Sequence, residues 1–270
     1  DDLDAVHEVL KSGFLIQGTR VAAFEQKVAD LVETKYAIAV SNGTATLHLA
    51  LLALDVRAGD IVITTAYSWL STANVIELVG ATPIFTDIDP RTFNMSPSHL
   101  AEVIENLMTN RSTASRVKAI MPVHTFGQMA DMPAILEIAN KYDIPVVEDA
   151  ACALGATLNG VQAGRWGVMG SFSFHPRKAV TTGEGGIITT NSDEYAWKIK
   201  ALRNHGLDPN SSTPSFVMPG FNYRMTDFQG ALGETQLNKL KRIISARKAG
   251  AKVYDQLLEN SNLTMPITVT

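Results

Sequence analysis

One cysteine, Cys152, stands among 270 residues, so no disulfide can close within the chain, and a reducing compartment, the cytoplasm, is the expected setting. Aromatic residues make up only 7%, and 23 Lys and Arg face 27 Asp and Glu for a net charge of −4. That balance leaves no basic surface of the kind that grips nucleic acid by its phosphates. The densest basic stretch, "KLKRIISARKAGAK", runs with Leu237, Leu240, Ile243 and Ile244 at helical spacing, so it reads as the solvated face of an amphipathic helix. No apolar run approaches the roughly 18 residues needed to span a bilayer, and the first residues do not read as a signal peptide. Also missing are GxGxxG, the lysine of a P-loop, an internal repeat, and any His/Asp/Glu cluster at metal-ligand spacing.

What is present is apolar and alternating. Apolar residues amount to 46% and charged residues to 19%, enough for one large core or a large domain with a smaller one. "YAIAV", "DIVITT", "TPIFTDI", "VKAIMPV" and "IPVVEDA" read as strands. Between them "TATLHLALLAL", "LSTANVIELVG", residues 96–107 and "MPAILEIANKYD" read as helices. This βαβα rhythm predicts an α/β domain with a mostly parallel central sheet flanked by helices. Two shorter strands, "GSFSFH" and "GGIITT", follow around a glycine turn, then helices over 193–203 and 226–258. The chain opens on "DDLDAVHEVL" and stops at "NLTMPITVT" within an apparent strand, so it reads as a fragment.

In open parallel sheets ligands gather at the carboxyl ends of strands. Three features fall there. "SNGTATLHLAL" (41–51) follows a strand; Gly43 would let the backbone turn tightly, and Thr44 and Ala45 would open a helix whose free N–H groups suit a phosphate, or simply a Ser/Thr cap. Glu148 and Asp149 end a strand, where a carboxylate either faces a cation or caps the next turn. In "SFSFHPRKAVTTGEGG", Lys178 sits at the end of what reads as a buried strand, either a desolvated nucleophile or a lysine that snorkels outward. A phosphate cradle, a strand-end carboxylate and a buried lysine are together what pyridoxal 5′-phosphate (PLP) requires of a protein.

These stretches, in order, resemble the DegT/DnrJ/EryC1/StrS family of sugar aminotransferases, which have the fold type I architecture of PLP-dependent transferases. "SGFLIQGTRVAAFEQKVADL", "SNGTATLHLAL", "AYSWLSTANVI", "GATPIFTDIDP" and "MPVHTFGQMADM" carry the first half of the likeness. "VVEDAACALGA", "SFSFHPRKAVTTGEGG" and "FNYRMTDFQGALGETQL" carry the second. The resemblance implies that residues 1–245 form the large PLP-binding domain and 246–270 begin an incomplete small domain. It makes Lys178 the Schiff-base lysine, Asp149 the partner of the pyridine nitrogen, and Gly43, Thr44 and Ser173 the phosphate site. Trp69 would stack on the ring, and Asn222 would reach the cofactor of a second subunit, implying a homodimer with shared sites. His175 and Glu184 fall where substrate is met. Where many members carry Gln or His, Cys152 stands, a poorer hydrogen-bond partner for the ring hydroxyl. The implied substrates are L-glutamate and a nucleotide-linked keto-sugar, with C4 favoured by the "FHPRK" and "GEGG" forms.

Overall fold

β-branched runs too short to bury themselves need neighbours, and here they find them in one sheet. The computed structural model describes residues 1–263, 265, 267 and 268. The chain begins with helices α1 (Asp2–Ser12) and α2 (Thr19–Val32), then β1 (Tyr36–Val40), α3 (Gly43–Ala53), β2 (Ile61–Thr65) and α4 (Ser71–Leu78). It continues with β3 (Thr82–Thr86), α5 (Pro97–Met108), the short α6 (Arg111–Ala114), β4 (Val117–Met121), α7 (Met132–Lys141) and β5 (Val147–Asp149). A two-residue ribbon, β6 (Thr157–Leu158) and β7 (Val161–Gln162), precedes β8 (Met169–Ser173) and β9 (Gly186–Thr190). Helices α8 (Asp193–Leu202), α9 (Asp227–Leu237) and α10 (Leu240–Leu258) follow.

β2 lies parallel between β3 and β4, and β5 runs parallel to β8. Parallel bridges Ile120–Val146 and Val123–Asp149 join β4 to β5. On the far side β9 runs antiparallel between β8 and β1. The strand order is therefore β3-β2-β4-β5-β8-β9-β1, with β9 alone reversed among these seven. The mostly parallel sheet expected of the sequence is present.

α3 shows why this sheet needs both faces covered. Its Leu49 belongs to one apolar cluster with Ile38 and Ile188, while Leu47 and Leu51 belong to another with Val62 and Ala119. A helix apolar on every side is a buried helix, and this one places its first turn at the carboxyl end of β1. On the opposite side α2 contributes Phe24 and Val28 to the largest cluster. Its N-cap, Gly18, has no side chain to offer, and Asp227 supplies one from across the sequence: Oδ1 accepts from the N–H groups of Gly18 and Val21, each at 2.9 Å.

One expected element divides. The helix predicted over 226–258 breaks at Asn238 and Lys239 into α9 and α10. α9 follows α2, where Gly233 meets the Phe24 ring, whereas Leu240 and Ile244 of α10 turn instead onto Gly155. Beyond Ile244 the side chains of α10 are exposed as far as Leu257, and its basic residues face solvent as the composition suggested. Of the strand expected within "NLTMPITVT", residues 264, 266, 269 and 270 lie outside those described, and the described residues 262, 263, 265, 267 and 268 are not in strand.

Candidate active site

The carboxyl ends of β1, β2, β4, β5 and β8 enclose a cleft of about 1080 Å³. Gly43, Thr44, Trp69, Asp149, Cys152, Ser173, His175, Lys178 and Glu184 all line it. Asn222 does not; it is exposed and bridges to Asn204.

α3 presents its first turn to this cleft. Its cap is Asn42, not a Ser or Thr: the amide oxygen accepts from the Ala45 N–H at 2.8 Å. First-turn N–H groups have no acceptor inside the helix, and the dipole adds positive character there. Those of Gly43 and Thr44 are the ones left over beside Asn42. A Cβ on Gly43 would sit 2.7 Å from the Ser173 Cβ, so only glycine lets the helix start approach β8 this closely. The Ser173 hydroxyl thereby joins the same corner. The arrangement is an anion cradle of backbone donors and one hydroxyl.

Glu148 and Asp149 are both buried, at 0% and 4% exposure, so neither is a surface cap. They diverge because neighbours on a strand face opposite ways. Asp149 looks into the cleft, accepting from the Thr72 hydroxyl at 2.7 Å and the Ala151 N–H at 3.2 Å. Burial pushes its carboxyl up from the ordinary value, while the hydrogen bonds from Thr72 and Ala151 and then the charge of Lys178 pull it down. Glu148 looks away and fastens the loop after β7. It accepts from the N–H groups of Gly164 at 2.8 Å, Trp166 at 2.7 Å and Gly167 at 2.8 Å. Its fourth partner is His124 Nε2 at 3.0 Å. His124 Nδ1 accepts from the Ala130 N–H at 3.2 Å, so the ring proton lies on Nε2 and is donated to Glu148.

Lys178 departs from its expected setting. β8 ends at Ser173, and Pro176, lacking an N–H, cannot extend the ladder. Lys178 lies in the following turn, half-buried, its N–H donating to the His175 carbonyl at 2.8 Å. Its Nζ stands 3.0 Å from the Cys152 Sγ, across the cleft floor from β5. Arg247 of α10 donates to the Lys178 carbonyl at 2.9 Å and so ties the turn to the C-terminal helix. The Glu184 carbonyl is held by the Gln229 amide at 2.8 Å, which leaves the carboxylate free to face the cleft. Among the described residues no group of three His, Cys, Asp or Glu could hold a metal ion.

An anion cradle, a buried strand-end carboxylate and a primary amine thus share one cleft. The family model for the DegT/DnrJ/EryC1/StrS aminotransferases matches residues 1–270. The chain belongs to this family. A GDP-perosamine synthase from Caulobacter vibrioides is 44% identical over 241 residues, covering 89% of this chain and 62% of that protein. The chain thus spans less than two thirds of that relative. A DegT/DnrJ/EryC1/StrS aminotransferase from Brucella abortus superposes with a TM-score of 0.91 at 31% identity, over 96% of this chain and 69% of its own. NtdA from Bacillus subtilis, solved with bound cofactor PMP (pyridoxamine phosphate), gives 0.79 at 33% identity, over 88% of this chain and 52% of its own. The neighbours establish the fold type I architecture.

Several residues of this family member's cleft escaped the sequence reading. Tyr67 and Phe126 line its wall and Phe93 packs against both, with Tyr67 and Phe93 stacked at 5.4 Å. Beside them Trp69 is not a core aromatic, being 76% exposed. Thr72, four residues after Ser68, holds Asp149; the i, i+4 hydroxyl pair at the start of α4 was the available signal.

Asp149 also sets a pH dependence. With its folded value raised, the native chain holds this proton more tightly than the unfolded chain does. The associated stability is complete below about pH 3.9 and is lost as pH rises through the folded value. Asp149→Asn removes that loss. In urea melts of ligand-free protein the variant should exceed wild type at pH 7, with the gap closing on acidification toward about pH 4. A gap that does not change with pH would show that this carboxyl carries no burial cost.

Proposed function

We propose that this chain supplies the cofactor-binding part of a PLP-dependent aminotransferase that moves an amino group from L-glutamate to C4 of a nucleotide-linked keto-sugar. The observation that carries the reading is the meeting of the α3 N-terminus, the buried Asp149 carboxyl and the Lys178 amine in one cleft. The name of the Caulobacter relative supports a nucleotide-linked sugar, and the PMP in NtdA supports the cofactor. Donor and carbon rest on the family resemblance and on the "FHPRK" and "GEGG" forms.

The site fits the group. The cradle at Gly43, closed so tightly that a Cβ would strike Ser173, suits a phosphate, and a carboxyl raised by burial lacks the cation a protonated ring nitrogen would be. When bound, PLP supplies an electron sink that stabilises negative charge at the substrate carbon and carries the amino group between substrates. Gly43 and Thr44 N–H groups and the Ser173 hydroxyl hold the phosphate. Asp149 would keep a proton on the ring nitrogen, and Trp69 would offer its indole to the ring. Lys178 Nζ would be the amine that holds the aldehyde carbon and the base that moves a proton at the donor's α-carbon. Cys152 offers a thiol to the ring hydroxyl, and His175 and Glu184 face the sugar. By the family resemblance Asn222, which does not line its own cleft, would serve the cleft of a second copy, and the working unit would be a cytoplasmic homodimer. Residues 1–245 form the cofactor domain and 246–270 begin a smaller one, in keeping with the end of close packing at Ile244.

Two other readings fare worse. PLP-dependent sugar dehydratases resembling this family replace the lysine by histidine, and here it is Lys178. A non-catalytic homologue would have no need for Lys178, Asp149 and Ser173 together. The test is an absorbance spectrum with PLP, followed by borohydride reduction and peptide mapping by mass. A visible band and an adduct on Lys178 are expected. A folded chain with neither overturns the reading.

A further inference from the structure

Behind Asp149 runs a short line of hydroxyls. The Thr72 Oγ1 lies 2.7 Å from Asp149 Oδ2, and the Ser68 Oγ lies 2.7 Å from Thr72 Oγ1. Ser68 Oγ also reaches the Trp69 carbonyl at 3.2 Å. Thr72 is 1% exposed, so it cannot exchange these partners for water, whereas Ser68 lines the cleft.

Each hydroxyl has one proton to give and two lone pairs to receive with. When Asp149 is a carboxylate, Thr72 must donate to it, and Ser68 then donates to Thr72. When Asp149 carries a proton, its O–H donates to Thr72, Thr72 turns to donate to Ser68, and Ser68 donates to the Trp69 carbonyl. The second lone pair of that carbonyl takes the Thr72 N–H at 3.2 Å. Both arrangements satisfy every buried donor, and apart from the proton that Asp149 gains only O–H rotations separate them. A valine at 72 would serve neither.

We propose that Ser68 and Thr72 are positioning residues, a reversible hydroxyl chain that holds Asp149 in one place in both of its protonation states and ends on the Trp69 backbone. The functional weight of this rests on the PLP reading. The cleft must hold an acid–base partner for the ring nitrogen when loaded, and tolerate a buried carboxyl facing no cation when empty. The chain also fixes the backbone from which the Trp69 ring projects, so ring-nitrogen partner and ring-face cover share one support. The other titratable groups felt by this carboxyl are Lys178, from the turn after β8, and His124, from the end of β4.

The test is the titration of Asp149 in ligand-free protein, read from ¹³C-labelled Asp carboxyl signals, with Asp149→Asn to assign the resonance. Thr72→Val removes a hydrogen bond worth more to the charged carboxylate than to the neutral acid and should raise the midpoint by about one pH unit. Thr72→Ser should restore it to within a few tenths of a unit. Ser68→Ala, at the cleft surface, should raise it by about half a unit, and it carries the test if Thr72→Val does not fold. An unchanged midpoint in folded Thr72→Val, or in Ser68→Ala where that variant stands in, overturns the proposal. Because the titration is read without PLP, its outcome is independent of whether the wild-type chain gives a visible band with PLP, which tests the functional reading alone.

Discussion

Lys178→Ala is expected to give a folded protein that forms no covalent link to PLP and transaminates at least about 10⁴-fold more slowly. Lys178 is the one primary amine among the residues lining the cleft, so no neighbour can take its place at the aldehyde carbon or at the donor's α-carbon. Folding should survive. The side chain is half-buried, its bond is a contact to Cys152 Sγ, and the link from Arg247 goes to the backbone carbonyl, which alanine keeps. The check pairs turnover with L-glutamate and a keto-sugar acceptor with peptide mass after borohydride treatment. Turnover near wild type would remove Lys178 from the chemistry.

Glu148→Ala is expected to strike stability instead, by about 4 kcal/mol, lowering Tm by about 10 °C. The carboxylate is completely buried and accepts from three backbone N–H groups and His124, so its removal strands four donors at once. Each stranded buried donor costs about 1–3 kcal/mol, and water entering the space left by the side chain would recover part of the sum. Glu148→Gln keeps one acceptor but turns an NH₂ group toward the remaining donors, and should fall between. Thermal melts followed by circular dichroism decide it. A shift under about 2 °C would mean that the loop at 164–167 is held by something else.

These two residues show where sequence reading reached and where it stopped. The strands were legible because β-branched runs alternate with helices, and the three cleft corners were legible because turn glycines, a strand-end acid and a lone lysine each follow a strand. Period-2 alternation carries no direction, so nothing in "GGIITT" announced that β9 runs backwards. Two adjacent acids on a strand must face opposite ways, but which one meets the cleft depends on what packs behind each. Glu148 could be assigned only once the loop at 164–167 was seen to fold over it. Lys178 read as a strand end because "SFSFH" is apolar, although Pro176 ends the ladder. The break at Asn238 had no Gly or Pro to mark it, since it arises from two packing surfaces that one straight helix cannot serve.

The reversed strand also bears on how the cleft comes into being. Val40 pairs with Gly186, partners roughly 150 residues apart, and a Cβ on Gly186 would lie 2.5 Å from the Asn42 carbonyl. Closing so long a span is among the slower events available to a folding chain. The anion cradle after β1 is made well before β9, yet it cannot meet Ser173 in its final place until β9 has been made and inserted between β8 and β1. A nascent chain thus carries the two halves of its cleft apart until residues 186–190 have been made, and the cradle is completed by a finished sheet rather than before it.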